Sequence, residues 1–537
     1  MLLAMTEHSV DKARRFGLWT ATRHVVLRGA VITTTAVGLG TVLGLARDLL
    51  IAGYFGANGD TDAFLIAWTL PETAVPLLID GAMALLMVPI FSCALQLRKE
   101  PEPGTDGPVP DPVRAAVAAT LPQLVAALVI VAGLVALTSP WLVPALAPGL
   151  ANVALGVAAM RIIAVSVVFV GVAGYFVAAL RSHLVYGPPA MVTVAMNVGI
   201  LGVMVTFHRQ LGVLAAVLGA VVGSALMVAV QLPAFIRRVG LPRRPTRGAG
   251  VAFGAFLPIA AYIVTRQSQV FVERFVASSL APGTISHLNY AQKIAQVPST
   301  LALILAVVTF PQLARHVVAG NPHEAHRRTT IDVQIIGAIV LAATAYLVAF
   351  APQVVELLFQ RGAFTAQDTA ATAAILRIYV LGLLGQALLD IVCRALFSER
   401  ATFVPTLSMV VGLLVTGVVA AFGAGIWGAP AIAAANAVGI TVTAVLVIRS
   451  PRSSLIPARP VVLIIARLLP SAGVATMVGL CLAPRLSDLP AVVSVVLGGV
   501  TVAVVFGLTA VLTRGLPRPR GLPAHRSARG EGSVGDG

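Results

Sequence analysis

Long apolar stretches follow one another along nearly the whole chain, separated by short clusters of charge, proline and glycine. Each stretch holds roughly 20 residues, the length that carries a helix across a ~30 Å hydrocarbon core. Only helices and closed barrels satisfy every backbone group in lipid, and these runs are continuous rather than alternating, so helices are expected. The pattern predicts an all-α polytopic membrane protein with about fourteen transmembrane helices. They fall near 29–54, 61–96, 114–138, 152–180, 188–207, 211–235, 251–280, 285–314, 329–350, 371–397, 403–423, 427–448, 461–483 and 489–513. The second run is too long for one straight crossing and contains Pro71, Pro76 and Pro89, which predicts a broken or strongly bent helix.

Composition agrees, since 58% hydrophobic and 11% charged residues in 537 exclude an ordinary soluble globule. A net charge of +16 would point to nucleic acid in a soluble protein, but here the charge is sorted by loop. One alternate set of loops carries Lys12, Arg14, Arg15, Arg23, Arg28, Arg98, Lys99, Arg114, Arg181, the Arg237 to Arg247 cluster, Arg315, Arg327, Arg328, Arg400, Arg449, Arg452, Arg459 and the tail from Arg514 to Arg529. The other set has little beyond Arg209, Arg361 and Arg485. By the positive-inside rule the first set is cytoplasmic, so both termini lie inside and the number of spans is even. The basic balance is a topology signal, and no nucleic-acid partner is expected. Cys93, Cys393 and Cys481 lie in or beside apolar spans without metal-like spacing and read as packing residues. The N-terminus lacks the pattern of a cleavable signal.

These breaks divide the chain into a cytoplasmic segment (1–28), a first lobe of six helices (29–235), a cytoplasmic linker (236–250), a second lobe of six (251–448), a final helix pair (461–513) and a solvated basic tail (514–537). Arg47, Gly56 and Pro71 recur as Arg274, Gly283 and Pro298, each 227 positions later. Two pseudo-symmetric lobes running in the same sense would produce that recurrence, and transporters so built hold substrate between the lobes. Chance recurrence in a Gly- and Pro-rich chain is the competing reading.

Charges inside the spans are costly and mark polar pathways by default. Helical spacing places Tyr262, Arg266, Gln269 and Glu273 on one face of the seventh span. In the eighth span Ser286, Asn289, Lys293, Gln296 and Thr300 form another stripe, and the tenth carries Tyr379, Gln386, Asp390 and Arg394. For each stripe the plainer reading is that its groups lock helices together. Asp390 and Arg394, four apart, read as a structural ion pair, while Arg161, Arg181 and Arg377 read as span-end residues that snorkel. Gly40 and Gly44 with Arg47 permit close helix approach or a cavity wall. Arg47, Arg274 and Lys293 lie at similar depth without obvious neutralising carboxylates, an arrangement that fits an anionic cargo, phosphate above all. Histidine pairs at ligand spacing and a phosphate-binding loop are both absent from the sequence. The expectation is a transporter with no catalytic site and no cofactor, driven by the membrane potential or a coupling cation.

Val42-Leu43-Gly44-Leu45-Ala46-Arg47-Asp48, Phe55-Gly56-Ala57, Thr61-Asp62-Ala63-Phe64, Leu70-Pro71 and Val88-Pro89-Ile90 together resemble the first two helices of the MurJ/MviN lipid II flippases of the MOP exporter superfamily. Pro140-Trp141, Ala147-Pro148-Gly149, Gln231-Leu232-Pro233, Asn289-Tyr290-Ala291 and Leu358 through Thr365 continue the resemblance in order. It implies a protein that carries a polyprenyl-diphosphate-linked glycan to the outer leaflet by alternating access. Arg47 and Asp62 match cavity positions of the family, and Lys293 stands where an arginine is common. Departures accompany the matches: Gly40-Thr41 replaces a serine-arginine pair, Val75-Pro76 an arginine pair, and Gln296 a glutamate. Arg266, Glu273 and Arg274 are candidates to replace the missing charge, so the expected cavity set is Arg47, Asp62, Arg266, Glu273, Arg274, Lys293 and Gln296.

The resulting expectation is a flippase of the bacterial plasma membrane serving cell-wall or envelope polysaccharide synthesis. Its partners would be the lipid-linked glycan, membrane lipids and envelope-synthesis enzymes. A nontransporting envelope scaffold and a MATE-like cation-coupled exporter are the alternatives.

Overall fold

The computed structural model describes residues 18–99, 111–240, 257–300, 322–398, 403–450, 458–513 and 515. The N-terminal 17 residues, most of the linker expected at 236–250 and nearly all of the tail expected at 514–537 lie outside the described residues. Regular structure among those described is entirely helical. In chain order the helices are α1 (Leu18–Phe55), α2 (Gly59–Ala74), α3 (Met83–Lys99), α4 (Pro112–Leu146), α5 (Val153–Ser182), α6 (Val192–Leu211), α7 (Leu214–Arg238) and α8 (Leu257–Ala277). They continue as α9 (284–300), α10 (Pro322–Phe359), α11 (Ala366–Tyr379), α12 (Leu383–Ser398), α13 (Phe403–Trp427), α14 (Ala429–Arg449), α15 (Ala458–Leu482) and α16 (Ala491–Leu512).

Twelve candidate spans among the described residues are long and apolar enough to cross a membrane, with α11 and α12 forming one of them. The two others expected from the sequence are α8 and α9. At 21 residues α8 is ~31 Å long. Its hydropathy is lowered by Arg266, Gln267, Ser268, Gln269, Glu273 and Arg274, all inside one helix. Both are helical where described, and the remainder of the span expected at 285–314 lies outside the described residues from 301 onward.

The second span is continuous but irregular. Between α2 and α3 the chain makes wider turns over Val75–Ala82, and the Met83 N–H reaches back five residues to the Leu78 carbonyl. Pro76 has no N–H to offer the Glu72 carbonyl one turn earlier. Gln267 on α8 supplies a donor instead, its Nε2 lying 2.9 Å from that carbonyl. The expected break is thus a local unwinding, with Pro71 and Pro89 accommodated inside regular helix.

Most of the packing joins helices within α1–α7 or within α8–α14, two bundles that share a backbone signature. Gly212, between α6 and α7, has φ 55° and ψ −140°; Gly428, between α13 and α14, has φ 64° and ψ −144°. Each hairpin packs through small residues, which lets backbones approach closely in lipid. A Cβ on Gly199 would lie 2.4 Å from the Gly223 Cα, and one on Gly439 would lie 2.6 Å from the Gly412 carbonyl oxygen. The last two helices dock on α10 where Phe350 departs from helical geometry ahead of Pro352. Gly498 accommodates the Phe350 ring, which would lie 2.4 Å from an added Cβ, and Tyr346 Oη donates to the Val495 carbonyl at 3.2 Å. Where the bundles meet, α2 and the wide turn touch α8, and α1 touches α10.

Candidate functional site

Helix α9 begins with backbone N–H groups that have no partner within the helix. Asp62, in the first turn of α2, accepts from Gly283 N–H at 2.7 Å, from Ser286 N–H at 2.8 Å and from Ser286 Oγ at 2.7 Å. Its carboxylate also complements the positive end of the α9 dipole. Asp62 itself is placed by Asn58, whose side chain and Thr61 form a reciprocal cap on α2. One residue of the first bundle therefore caps a helix of the second.

Close backbone contacts surround this cap. Gly56, Gly283 and Gly362 all have positive φ, at 72°, 92° and 61°. A Cβ on them would lie 2.8 Å from the Ala363 carbonyl oxygen, 2.6 Å from that of Ala57 and 2.2 Å from that of Gly53. Only glycine meets both requirements, the left-handed conformation and the absent side chain. Ala363 N–H donates to the Gly53 carbonyl at 2.8 Å, and Tyr290 Oη to the Gly56 carbonyl at 3.2 Å. The two bundles are latched together at this end.

Deeper along α2, Glu72 lies ten residues, or ~15 Å, below Asp62. Arg274 Nη2 donates to Glu72 Oε2 at 2.7 Å, and Lys293 Nζ to Glu72 Oε1 at 3.2 Å. The other Arg274 amino group, Nη1, donates to the Leu65 carbonyl at 2.7 Å and also to Thr69 Oγ1. Arg274 thus grips α2 from across the interface at successive turns. Sequence reasoning passed over Glu72, a lone carboxylate beside Pro71 inside an apolar run. Two basic side chains thus share one carboxylate at the interface.

Arg47 is placed apart from this triad. Its Nε and Nη2 reach Asp48 Oδ1 at 3.0 and 2.8 Å, its Nη1 lies 3.4 Å from Asn197 Oδ1, and its guanidinium sits 4.6 Å from the Trp68 ring centroid. Trp68 and Thr69 are ~100° apart around α2, so Arg47 and Arg274 approach that helix from different sides. The Asn197 amide in turn donates to the Gly40 carbonyl at 3.2 Å. The neighbouring Gly40 and Thr193 meet at the α1–α6 contact.

The polar stripe read along α8 turns into its own bundle. Tyr262 Oη meets Cys393 Sγ at 3.6 Å, Arg266 Nη1 meets Asp390 Oδ1 at 3.0 Å, and Glu273 accepts from Asn436, which also donates to Tyr379 Oη at 3.1 Å. One position further round, Gln267 and Arg274 face the first bundle. Asp390 is therefore engaged by Arg266, while the Arg394 side chain lies outside the described residues. Ser286 and Lys293 of the α9 stripe both reach α2, and Gln296 is exposed. Between Glu273, Arg274, Asn289 and Gln292 remains a void of about 10 Å³, room for one water. The side-chain amide oxygen of Asn289, buried on its wall, has no partner among the described residues.

Comparison with known proteins bears on this arrangement. The family model described as "Lipid II flippase MurJ" matches residues 51–507, from the last turns of α1 into α16. A Burkholderia cenocepacia protein described as "Lipid II flippase MurJ" is 27% identical over 392 residues, 70% of this chain and 74% of its own length. A "Probable lipid II flippase MurJ" of Rhizobium meliloti is 28% identical over 385 residues, covering 68% and 69% of the two chains. Among solved structures, "Lipid II flippase MurJ, inward closed conformation" superposes with a TM-score of 0.71 at 19% identity, over 90% of this chain and 99% of that one. An inward-facing MATE family transporter of the MOP superfamily gives 0.62 at 12% identity, over 78% and 96%. The structural likenesses speak for the fold; the family model, spanning both bundles and the final helix pair, shows that this chain belongs to the MurJ lipid II flippase family.

Proposed function

We propose that this protein moves a polyprenyl-diphosphate-linked glycan precursor, lipid II or a related molecule, from the inner to the outer leaflet of the bacterial plasma membrane by alternating access. The observation that carries the reading is the cationic pair Arg274 and Lys293 at the bundle interface, beneath a latch that closes one end. A buried pair of cations suits a diphosphate, whose oxygens accept several charge-assisted hydrogen bonds. The basic loops lie at the end opposite the latch, which supports cytoplasmic termini and an outward-facing latch. We place the lobe boundaries at 29–235 and 251–448, with 461–513 as an accessory pair. Arg47, Asp62, Arg266, Glu273 and Gln296 complete the proposed cavity set, with Asp62 as its outer gate and Arg266 and Glu273 as supports.

No catalytic step is required of the chain. The membrane potential or a coupling cation supplies the bias, and the enzymes that make and use the precursor are the natural partners. A scaffold role and a MATE-like exporter are less favoured, because the family match extends through α16 and the MATE likeness spans 78% of the chain. The test is complementation in cells depleted of their own flippase, with precursor accessibility measured from outside. Growth and outer-leaflet exposure are expected; failure at normal membrane levels would remove lipid II as the cargo.

A further inference from the structure

Glu72 occupies the place an anionic cargo would need. Its two carboxylate oxygens are divided between two cations, Oε2 to Arg274 at 2.7 Å and Oε1 to Lys293 at 3.2 Å, as neighbouring oxygens of a phosphate would be. The carboxylate is not what holds Arg274 in position. The Leu65 carbonyl and Thr69 hydroxyl already fix that guanidinium against α2, so the cationic site would outlast the carboxylate's departure. The void beside Arg274 holds no more than one water, but the Asn289 side-chain oxygen on its wall, without a partner among the described residues, shows that polar groups there are not all spoken for. Glu72 and Lys293 side chains also remain 18% and 17% exposed, so the ion pair is reachable rather than sealed.

We infer that Glu72 is a built-in competitor for the diphosphate: it fills the Arg274–Lys293 site when no cargo is bound, and cargo enters by displacing it. This rests on the diphosphate reading of the site. The exchange has a mechanical consequence, because Glu72 belongs to the first bundle and both cations to the second. Displacing the carboxylate removes an ionic tie between the bundles in the same event that binds cargo. Binding and release of the interface are thereby coupled through one side chain, and cargo that cannot compete with Glu72 is rejected. Apparent affinity falls by the fraction of time the site is free, so a carboxylate seated about 90% of the time weakens binding about tenfold.

The experiment compares wild type, Glu72→Gln, Arg274→Gln and Glu72→Gln/Arg274→Gln, each as full chain in nanodiscs, titrated with inorganic diphosphate and with farnesyl diphosphate. Glu72→Gln is expected to bind both about tenfold or more tightly than wild type, and Arg274→Gln to abolish binding in either background. The melting temperature of Glu72→Gln should fall without anion and recover with diphosphate, but not with sodium chloride at equal ionic strength. That rescue keeps the test decisive for a weakened variant, since a purely structural carboxylate would not be replaced by a soluble anion. Equal or weaker binding by Glu72→Gln would overturn the competitor role while leaving the cargo reading intact. Absence of diphosphate binding in wild type and Glu72→Gln alike would overturn the cargo reading, and the competitor with it.

Discussion

Asparagine in place of Asp62 keeps the shape of the latch, which the proposed topology turns outward, and removes its charge. The carboxylate serves Gly283 N–H through one oxygen and the Ser286 N–H and hydroxyl through the other. An amide has one acceptor oxygen, so its best orientation keeps the Ser286 bonds and leaves Gly283 N–H facing an NH₂ group. A hydrogen bond to a charged group contributes about 1.5–3 kcal/mol net. The interaction with the α9 dipole adds up to ~2 kcal/mol in a partly buried setting. Together ~2–5 kcal/mol is withdrawn from the closed state of the latch, which amounts to roughly one and a half to three and a half orders of magnitude in the open-to-closed ratio, at about 1.4 kcal/mol per decade. The readout is a cysteine at Asn289, buried one turn below Ser286, in a chain whose Cys93, Cys393 and Cys481 are replaced by alanine. A membrane-impermeant maleimide added outside should label it at least about tenfold faster in Asp62→Asn, by the same arithmetic. Ser286→Ala, which loses one hydroxyl bond and keeps the N–H bond, should give a smaller increase. Unchanged labelling of Asp62→Asn at normal membrane levels would show that the latch does not hold the outer face closed.

Arg47→Ala strips the partner from buried Asp48, a loss of about 3–5 kcal/mol for a broken buried pair, so membrane levels should fall along with transport. Arg47→Ala/Asp48→Ala should restore the level on an immunoblot but not precursor exposure; recovered transport would remove Arg47 from cargo handling. Gly362→Ala forces an L side chain into φ 61° with its Cβ 2.2 Å from the Gly53 carbonyl oxygen, and the left-handed conformation alone costs roughly 1–2 kcal/mol. Outer-face labelling should rise and transport fall, and a silent substitution would show that this joint is not tightly packed. Gly498→Val drives a side chain into the Phe350 ring, an overpacking expected to cost about 1–3 kcal/mol. Proteolysis near α16 should increase first, and unchanged protection would count against its docking through Phe350.

Apolar run length made twelve spans readable because it reports the thickness of lipid directly, whereas the charges of α8 keep that helix from standing out as apolar. Periodicity made the stripes readable as faces but could not say which neighbour a face would meet. Tyr262, Arg266 and Glu273 do share a side of α8, yet that side meets Cys393, Asp390 and Asn436, while the residues one step on, Gln267 and Arg274, cross to Glu72. Glu72 lies 202 and 221 positions from its two cations, a pairing that no local pattern encodes. Arg47 and Asp62 were recognisable from the motif around them, but their partners were not: Asp48 is adjacent and was not counted as neutralising, and Asp62 meets another helix's first turn. Gly212 and Gly428 escaped notice for a different reason. The inter-helix turns they mark are 216 positions apart rather than the 227 of Arg47 and Arg274, so a search at one fixed offset passes over them, and only their backbone conformation brings them together.

The widened turn at Val75–Ala82 divides the second span into pieces with different attachments. Above it, the piece bearing Asp62 and Glu72 is tied to α8 and α9. Below it, Met83, Met87 and Phe91 are packed into an apolar cluster with Val113, Tyr175 and Phe235. A regular helix transmits torsion along its length, whereas a segment bonded five residues back is a point of slack. One span can then serve as a lever with its own fulcrum, the arm bearing Asp62 and Glu72 following one body and the arm bearing Met83 and Phe91 anchored to another. A stiff rod in the same place would oblige the two mouths of the protein to move in step, and a carrier whose mouths open together is a leak.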